Sequence, residues 1–498
     1  MYNFVWLINK QKTMKTLLLL LAAFPFMAYG QQSPILDIEG GKVQGVNAER
    51  EGVTVYRGIP YAAAPIKDLR WKAPQPVKAW DGVYKADEFG NPSYQSVHYP
   101  GGYTTEWGYG EESPYSEDCL YLNVWTKAPG DVNKKLPVAL WIHGGGYREG
   151  WGSEPEFDGQ EWANKDVVLV SINYRLGVFG FLTHPELIQE SPNKVAGNYG
   201  ILDQIESLKW IKKNIAKFGG DPNNVTIFGQ SAGAGSVKTL CESPLTKGLF
   251  NKVIIMSGGG ITTPKAAAEA AKNAPAMNNS MMRAFAPISL EESANQTKEI
   301  MDWAGLTDLN KMRAASTETL HTIGNLYNSV TKNYKRIAGS PIIDNYVSMQ
   351  SFDQAALDNK LPNVPYMIGY TLNDMGNMAP GIADFCLNRA ELGDKVYAYE
   401  FARPLPTDGR DNVLKGAFHS SDLWYVFKSL QHGWRPWTKG DWDLSEVMLT
   451  AWTNFAKYGD PNGPKGGKWT PFTEKNPNFM IFKLDGNDVE SSEMGKPI

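Results

Sequence analysis

Residues 225–240 read VTIFGQSAGAGSVKTL, and the fold turns on how that run divides. Val225–Phe228 is short, apolar and rich in β-branched residues, which suits a buried strand. From Ala232 onward the residues are small and apolar and read as a helix. Between the two lies Gly229-Gln230-Ser231-Ala232-Gly233. A strand that enters a helix through G-x-S-x-G must turn sharply, and the serine at the apex takes a strained backbone conformation. A side chain at Gly229 or Gly233 is expected to collide with the neighbouring strand or helix. The bare pattern also fits an ordinary Gly/Ser turn; the strand before it and the helix after it favour Ser231 as a nucleophile.

Outward from this point the chain alternates strand and helix. Val138–Ile142, Val167–Ile172, Val253–Met256, Tyr366–Ile368 and Val396–Phe401 read as further strands. The central ones are apolar throughout rather than alternating, as strands covered on both faces should be. Leu202, Ile205, Leu208, Ile211, Ile215 and Phe218 recur at three and four residues, an amphipathic helix ahead of VTIF. This alternation predicts an α/β fold with a large, mostly parallel central sheet and helices on both faces. Residues 262–335 read as a mostly helical insertion, with Ala266–Ala271 as helix. Residues 31–498 are taken as a single domain.

Lys+Arg of 49 against Asp+Glu of 53 gives a net charge of −4, which suggests no basic surface for nucleic acid. From Met14 the chain reads MKTLLLLLAAFPFMAYGQQ: a lysine, an apolar run, then the small-residue pattern Ala28-Tyr29-Gly30. These are the parts of a secretory signal, with an apolar run too short to span a bilayer. The expectation is removal of residues 1–30, a mature start near Gln31, a periplasmic or extracellular location and no stable membrane insertion. Cys119, Cys241 and Cys386 form an odd set, so at least one thiol is free or paired elsewhere. The histidines include no helical pair and no CxxC occurs, so no metal site is expected, and no cofactor. The sequence does not specify an oligomeric state.

Two further motifs bear on chemistry. His143–Tyr147 (HGGGY) follows the strand Val138–Ile142, and consecutive glycines let backbone N–H groups point into a cavity. Such donors, with the N–H after a nucleophile, form an oxyanion hole. His419, in GAFHSSDLWYVF, follows a small-residue loop and precedes an apolar helix start. His432, in a polar turn, is its competitor.

With these motifs in place, the chain resembles the type-B carboxylesterase (cholinesterase-like) family of α/β-hydrolases from about residue 40 to the C-terminus. YRGIPYAAAP (56–65), EDCLYLNVW (117–125), HGGGY, GNYGILDQ (197–204), FGGDPNNVTIFGQSAGAGS (218–236), GAFHSSDLWYVF (416–427) and WTNFAKYGDPNG (452–463) carry the likeness, in family order. The resemblance implies an α/β-hydrolase fold, Ser231 as the acyl-forming nucleophile and His419 as its base. It also implies an oxyanion hole made by the backbone N–H groups of Gly145, Gly146 and Ala232.

Three departures accompany it. Relatives often pair the cysteine of EDCLYLN with an earlier one in G-x-x-C-x-Q, but GNPSYQ puts Ser93 there, so Cys119 lacks that partner. The residue before the nucleophile is often Glu and here is Gln230. Both changes argue against a specialised choline-ester binder. The acid differs too. The family's Glu sits in a pattern like IGTNKDEG, whereas this chain reads IGYTLNDMG over 368–376. Counted back from Gly376 the position falls on Met375; counted forward from the strand at Ile368 it falls on Asp374. The strand is the better anchor, because the sheet fixes it while a loop can take an extra residue. Asp374 is therefore the expected acid, with a loop that approaches His419 closely enough to compensate for one methylene less. Asp384, Glu391 and Asp394 are the substitutes, and a turn-capping role for Asp374 is the competing reading.

The implied activity is serine carboxylesterase hydrolysis of a small-molecule ester. Tyr99, Tyr103, Trp107 and Tyr109 either line an entrance suited to aryl or bulky groups or cover the core as a surface loop. The rival readings are a catalytically silent cholinesterase-like binding protein and an esterase or amidase for acylated plant polysaccharide.

Overall fold

The computed structural model describes residues 33–96, 101–107, 114–264, 288–337, 339–410 and 413–498. The expected leader, Ala266–Ala271, Tyr99 and Tyr109 lie outside the described residues. β1 (Ile35–Ile38), β2 (Gly41–Gln44) and β5 (Val83–Lys85) form a small sheet of their own.

The large sheet contains β3 (Val46–Asn47), β4 (Thr54–Pro60), β6 (Tyr121–Thr126), β7 (Leu136–Ile142), β8 (Val168–Ile172), β9 (Gly220–Gln230), β10 (Lys252–Met256), β11 (Tyr366–Thr371), β12 (Val396–Phe401), β13 (Phe479–Phe482) and β14 (Glu493–Gly495). Its eleven strands run in the order β14-β13-β12-β11-β10-β9-β7-β8-β6-β4-β3. From β8 through β13 every neighbouring pair is parallel. The antiparallel pairings are confined to the two ends.

The continuous apolar strands are explained by two cores, one per face. In β7, Val138, Leu140 and Ile142 enter one core with Ile205, Leu208 and Ile211 of the helix Tyr199–Asn214. Ala139 and Trp141 enter the other, with Met448, Trp452 and Phe455 of the helix Lys439–Tyr458. Alternate residues of a strand face opposite sides, so a strand covered twice has no polar face. The helix before β9 departs from its expected face at one position: Ile201 is fully buried while Leu202 is half-buried at the edge. The helix ends in a tighter turn over Ile215–Phe218, closed by Gly219 at φ 79°. Asp203 in this helix holds Arg175, which follows β8, in a fully buried ion pair at 2.6 Å, tying helix to sheet.

Within the expected insertion, Leu290–Trp303, Leu309–Ala314 and Thr317–Thr331 are helical. Ser289, Asp308 and Ser316 cap them by accepting a backbone N–H in the first turn. Ile300, Met301, Met312, Leu320 and Ile323 pack with Trp71, Phe179 and Leu182 in a satellite core.

Candidate active site

Ser231 stands where β9 becomes the helix Ala232–Glu242, with φ 57° and ψ −122°. A β-carbon costs energy in that region, on the order of 1–3 kcal/mol, so the surroundings must hold the turn in place. They do so from both sides. The Ser231 N–H donates to the Met256 carbonyl at 3.0 Å. A Cβ on Gly233 would lie 2.0 Å from the Ile142 carbonyl oxygen, and one on Gly229 would lie 2.6 Å from Gly233. The glycines are there for closeness, as the spacing predicted.

The same packing brings the HGGGY loop to the serine. A Cβ on Gly144 would come within 3.1 Å of the Ser231 Cβ. Gly145 (φ 87°) and Gly146 (φ 61°) are both left-handed. The Gly145 carbonyl accepts from Arg148 and Glu149 at 3.0 Å each, which closes the loop, and Gly146 faces open space. Ala232 is the first residue of its helix. A first-turn N–H has no partner within its own helix and is free to meet a developing negative charge. His143 is no base in this arrangement. It is buried and stacked on Tyr174 at 4.5 Å, and burial pushes its pKa down to about 3, with the Gly144 carbonyl opposing.

Across the sheet, β11 leads into Asn373 and Asp374. Asn373 N–H donates to the Ala417 carbonyl and its Oδ1 accepts from Ala417 N–H, both at 2.9 Å. A Cβ on Gly416 would lie 2.4 Å from that Oδ1, so glycine permits the contact. This pairing aligns the next residues. His419 Nδ1 lies 2.6 Å from Asp374 Oδ1. The Asp374 side chain is wholly buried, whereas Met375 is 59% exposed. Asp374 also accepts from Met375 N–H at 2.7 Å and from Thr371 Oγ1 at 3.2 Å. Burial raises its pKa, but the hydrogen bond and charge of His419 outweigh that and hold it below the usual carboxylate value. An ionised carboxylate on Nδ1 fixes the ring tautomer and leaves Nε2 as the acceptor.

Residues 32–385 and 377–496 match the family described as the carboxylesterase family. The chain belongs to that family. It is 32% identical to fumonisin B1 esterase of Sphingopyxis macrogoltabida over 91% of this chain and 87% of that one. It is 30% identical to para-nitrobenzyl esterase of Bacillus subtilis (strain 168) over 93% and 98%. Among solved structures, a Geobacillus stearothermophilus carboxylesterase superposes with a TM-score of 0.72 at 28% identity, covering 92% of this chain and 97% of that one. The fold is that of the α/β-hydrolases, and the chain is a carboxylic-ester hydrolase.

In this carboxylesterase-family chain the other candidate acids lie away from His419 in the contacts they make or in their exposure. Asp394 pairs with Arg389, Asp384 accepts from Thr263, and Glu391 is exposed at the end of its helix. His432 lies at the surface, 3.1 Å from Asp158. Among the described residues, His, Cys, Asp and Glu are nowhere gathered in threes as metal ligands would be.

Of the four aromatic residues expected in the 94–115 segment, the two described ones brace the core. Trp107 is buried against Trp424, and the Tyr103 hydroxyl donates to the His419 carbonyl at 3.0 Å. Glu106 anchors their short helix, Gly102–Trp107, by a buried ion pair with Arg435 at 2.5 Å and a bond from Trp424 Nε1 at 3.0 Å. No local pattern announces this contact, because Tyr103 and His419 are 316 residues apart.

Asp422 is a second buried carboxyl beside the pair, accepting from Tyr399 at 3.0 Å. Burial pushes it up to about 7, the Tyr399 bond opposing and the charge of Asp374 adding. Ser93, which stands in sequence where relatives often carry the partner cysteine, lies close to the buried Cys119 and accepts from Leu176 N–H at 3.1 Å. All three cysteines are free and buried.

Proposed function

We propose that Ser231 hydrolyses carboxylic esters through an acyl-enzyme. His419 Nε2 takes the Ser231 proton as Oγ attacks the carbonyl carbon. Asp374 holds the ring and balances the imidazolium, and the N–H groups of Gly145, Gly146 and Ala232 receive the oxyanion. The alcohol leaves with the proton from Nε2, and water repeats the sequence to release the acid. The observation that supports this best is the 2.6 Å contact of His419 with the buried Asp374, beside a serine held at φ 57°. Neutral Gln230 before the nucleophile, and a loop without its staple at Ser93, favour uncharged bulky or aryl esters over a choline ester. The names of the relatives, fumonisin B1 esterase and para-nitrobenzyl esterase, fit that class. A silent binding protein would be expected to lose the serine or the histidine, and both are present.

Labelling with a fluorophosphonate, lost in Ser231→Ala, and turnover of nitrophenyl esters of rising acyl length test the reading. A folded protein that takes no probe and cleaves no simple ester would favour the binding alternative. We also propose export after cleavage before Gln31, with residues 31–498 as one domain; N-terminal sequencing of the protein from a periplasmic or culture fraction tests the cleavage.

A further inference from the structure

Gln230 ends β9 with its side chain buried. Its Nε2 lies 3.1 Å from Nε2 of His419. The far side of the ring decides which atom donates. Nδ1 faces the Asp374 carboxylate, which only accepts, so Nδ1 carries the proton and Nε2 offers a lone pair. The contact is thus a hydrogen bond from the Gln230 amide to the nitrogen that has to receive the Ser231 proton. Among the described residues, the Ser231 hydroxyl makes no hydrogen bond to that nitrogen. The amide's other atom, Oε1, would lie 3.1 Å from a Cβ on Gly144, so one side chain spans the base and the glycine loop.

The geometry points to Gln230 as a positioning residue that caps the base: its N–H holds His419 Nε2 until an ester is bound, and yields when Ser231 gives up its proton. This rests on the reading of Ser231 and His419 as nucleophile and base. In the acylation step the Oγ–C bond forms and the proton moves from Oγ to Nε2. The Gln230 hydrogen bond breaks at the same time, and the leaving alcohol then takes the proton. An amide donor supports the neutral ring, whereas a carboxylate in its place would support the imidazolium. Among the described residues, the other titratable groups beside the ring and its loop include Asp374 at Nδ1, Asp422 three residues along the same loop, and Tyr103 on the His419 carbonyl.

Inactivation rates by a fluorophosphonate from pH 5 to 9 test the cap in the unsubstituted protein, Gln230→Met and Gln230→Glu. Methionine keeps the volume without a donor, so its plateau rate should rise about 2- to 10-fold, the scale of one neutral hydrogen bond. Glutamate should move the acid limb of the profile up by about one pH unit or more, a shift that a merely structural role does not produce. A Met variant no faster than the unsubstituted protein, or a Glu variant with an unmoved limb, overturns the cap while leaving the nucleophile intact. An unsubstituted protein that takes no probe overturns both.

Discussion

Asn373 and Ala417 exchange two hydrogen bonds of 2.9 Å across loops 44 residues apart in the chain. Each loop supplies one member of the Asp374–His419 pair, so the Asn373–Ala417 pairing sets the side-chain contact. An aspartate reaches His419 because the main chains are pulled together.

Asp374→Asn should therefore leave folding intact and lower kcat by several orders, roughly 10⁴-fold by analogy with the protease triad. Met375→Ala, at an exposed neighbour, should change kcat less than about twofold. Steady-state turnover of a nitrophenyl ester distinguishes them; near-normal turnover in Asp374→Asn moves the acid elsewhere.

The buried Glu106–Arg435 pair holds the helix that braces His419. Glu106→Gln leaves a buried guanidinium without its counter-charge, which should cost about 3–5 kcal/mol of stability. Denaturant midpoints measure it. Tyr103→Phe removes only the brace, with a stability loss of about 1 kcal/mol and a fall in kcat. Equal stability of Glu106→Gln and the unsubstituted protein would show that the pair does not anchor the helix.

Asp422 makes stability depend on pH in an unusual direction for an acid. Its folded value, about 7, lies above the unfolded value, so its contribution is fully present below about pH 4 and is lost as pH rises through about 7. Asp422→Asn has no such dependence. Its stability relative to the unsubstituted protein should grow between pH 5 and pH 8, by roughly 2–4 kcal/mol at most. A difference that stays constant over that window would contradict the raised pKa of the buried carboxyl.

Ser93 and Cys119 are both buried and close to one another. Ser93→Cys should oxidise to a disulfide that closes the intervening loop and adds about 3 kcal/mol of stability. Mass spectrometry of the alkylated protein detects the bond, and thermal unfolding with and without reductant measures its effect. Two free thiols after mild oxidation would mean that the side chains cannot reach bonding geometry.

Much of this protein was legible in residue types alone. Strands with no polar face announced a sheet covered twice, and Val396–Phe401 was bounded to the residue. The elbow was legible because its demands are local: Gly229 and Gly233 stand where any side chain meets backbone within 3 Å. Tertiary structure decided the rest. Anchoring the count on the strand favoured Asp374, with Asp384, Glu391 and Asp394 as substitutes; only the meeting of that loop with residues 416–419 buries the Asp374 side chain against His419 and leaves Met375 exposed. The Gln230 amide on His419, the Tyr103 brace and the raised pKa of Asp422 likewise depend on groups far apart in the chain. Local sterics and periodicity are written in neighbouring residues; a hydrogen bond between distant loops exists only once the core has fixed where both loops end.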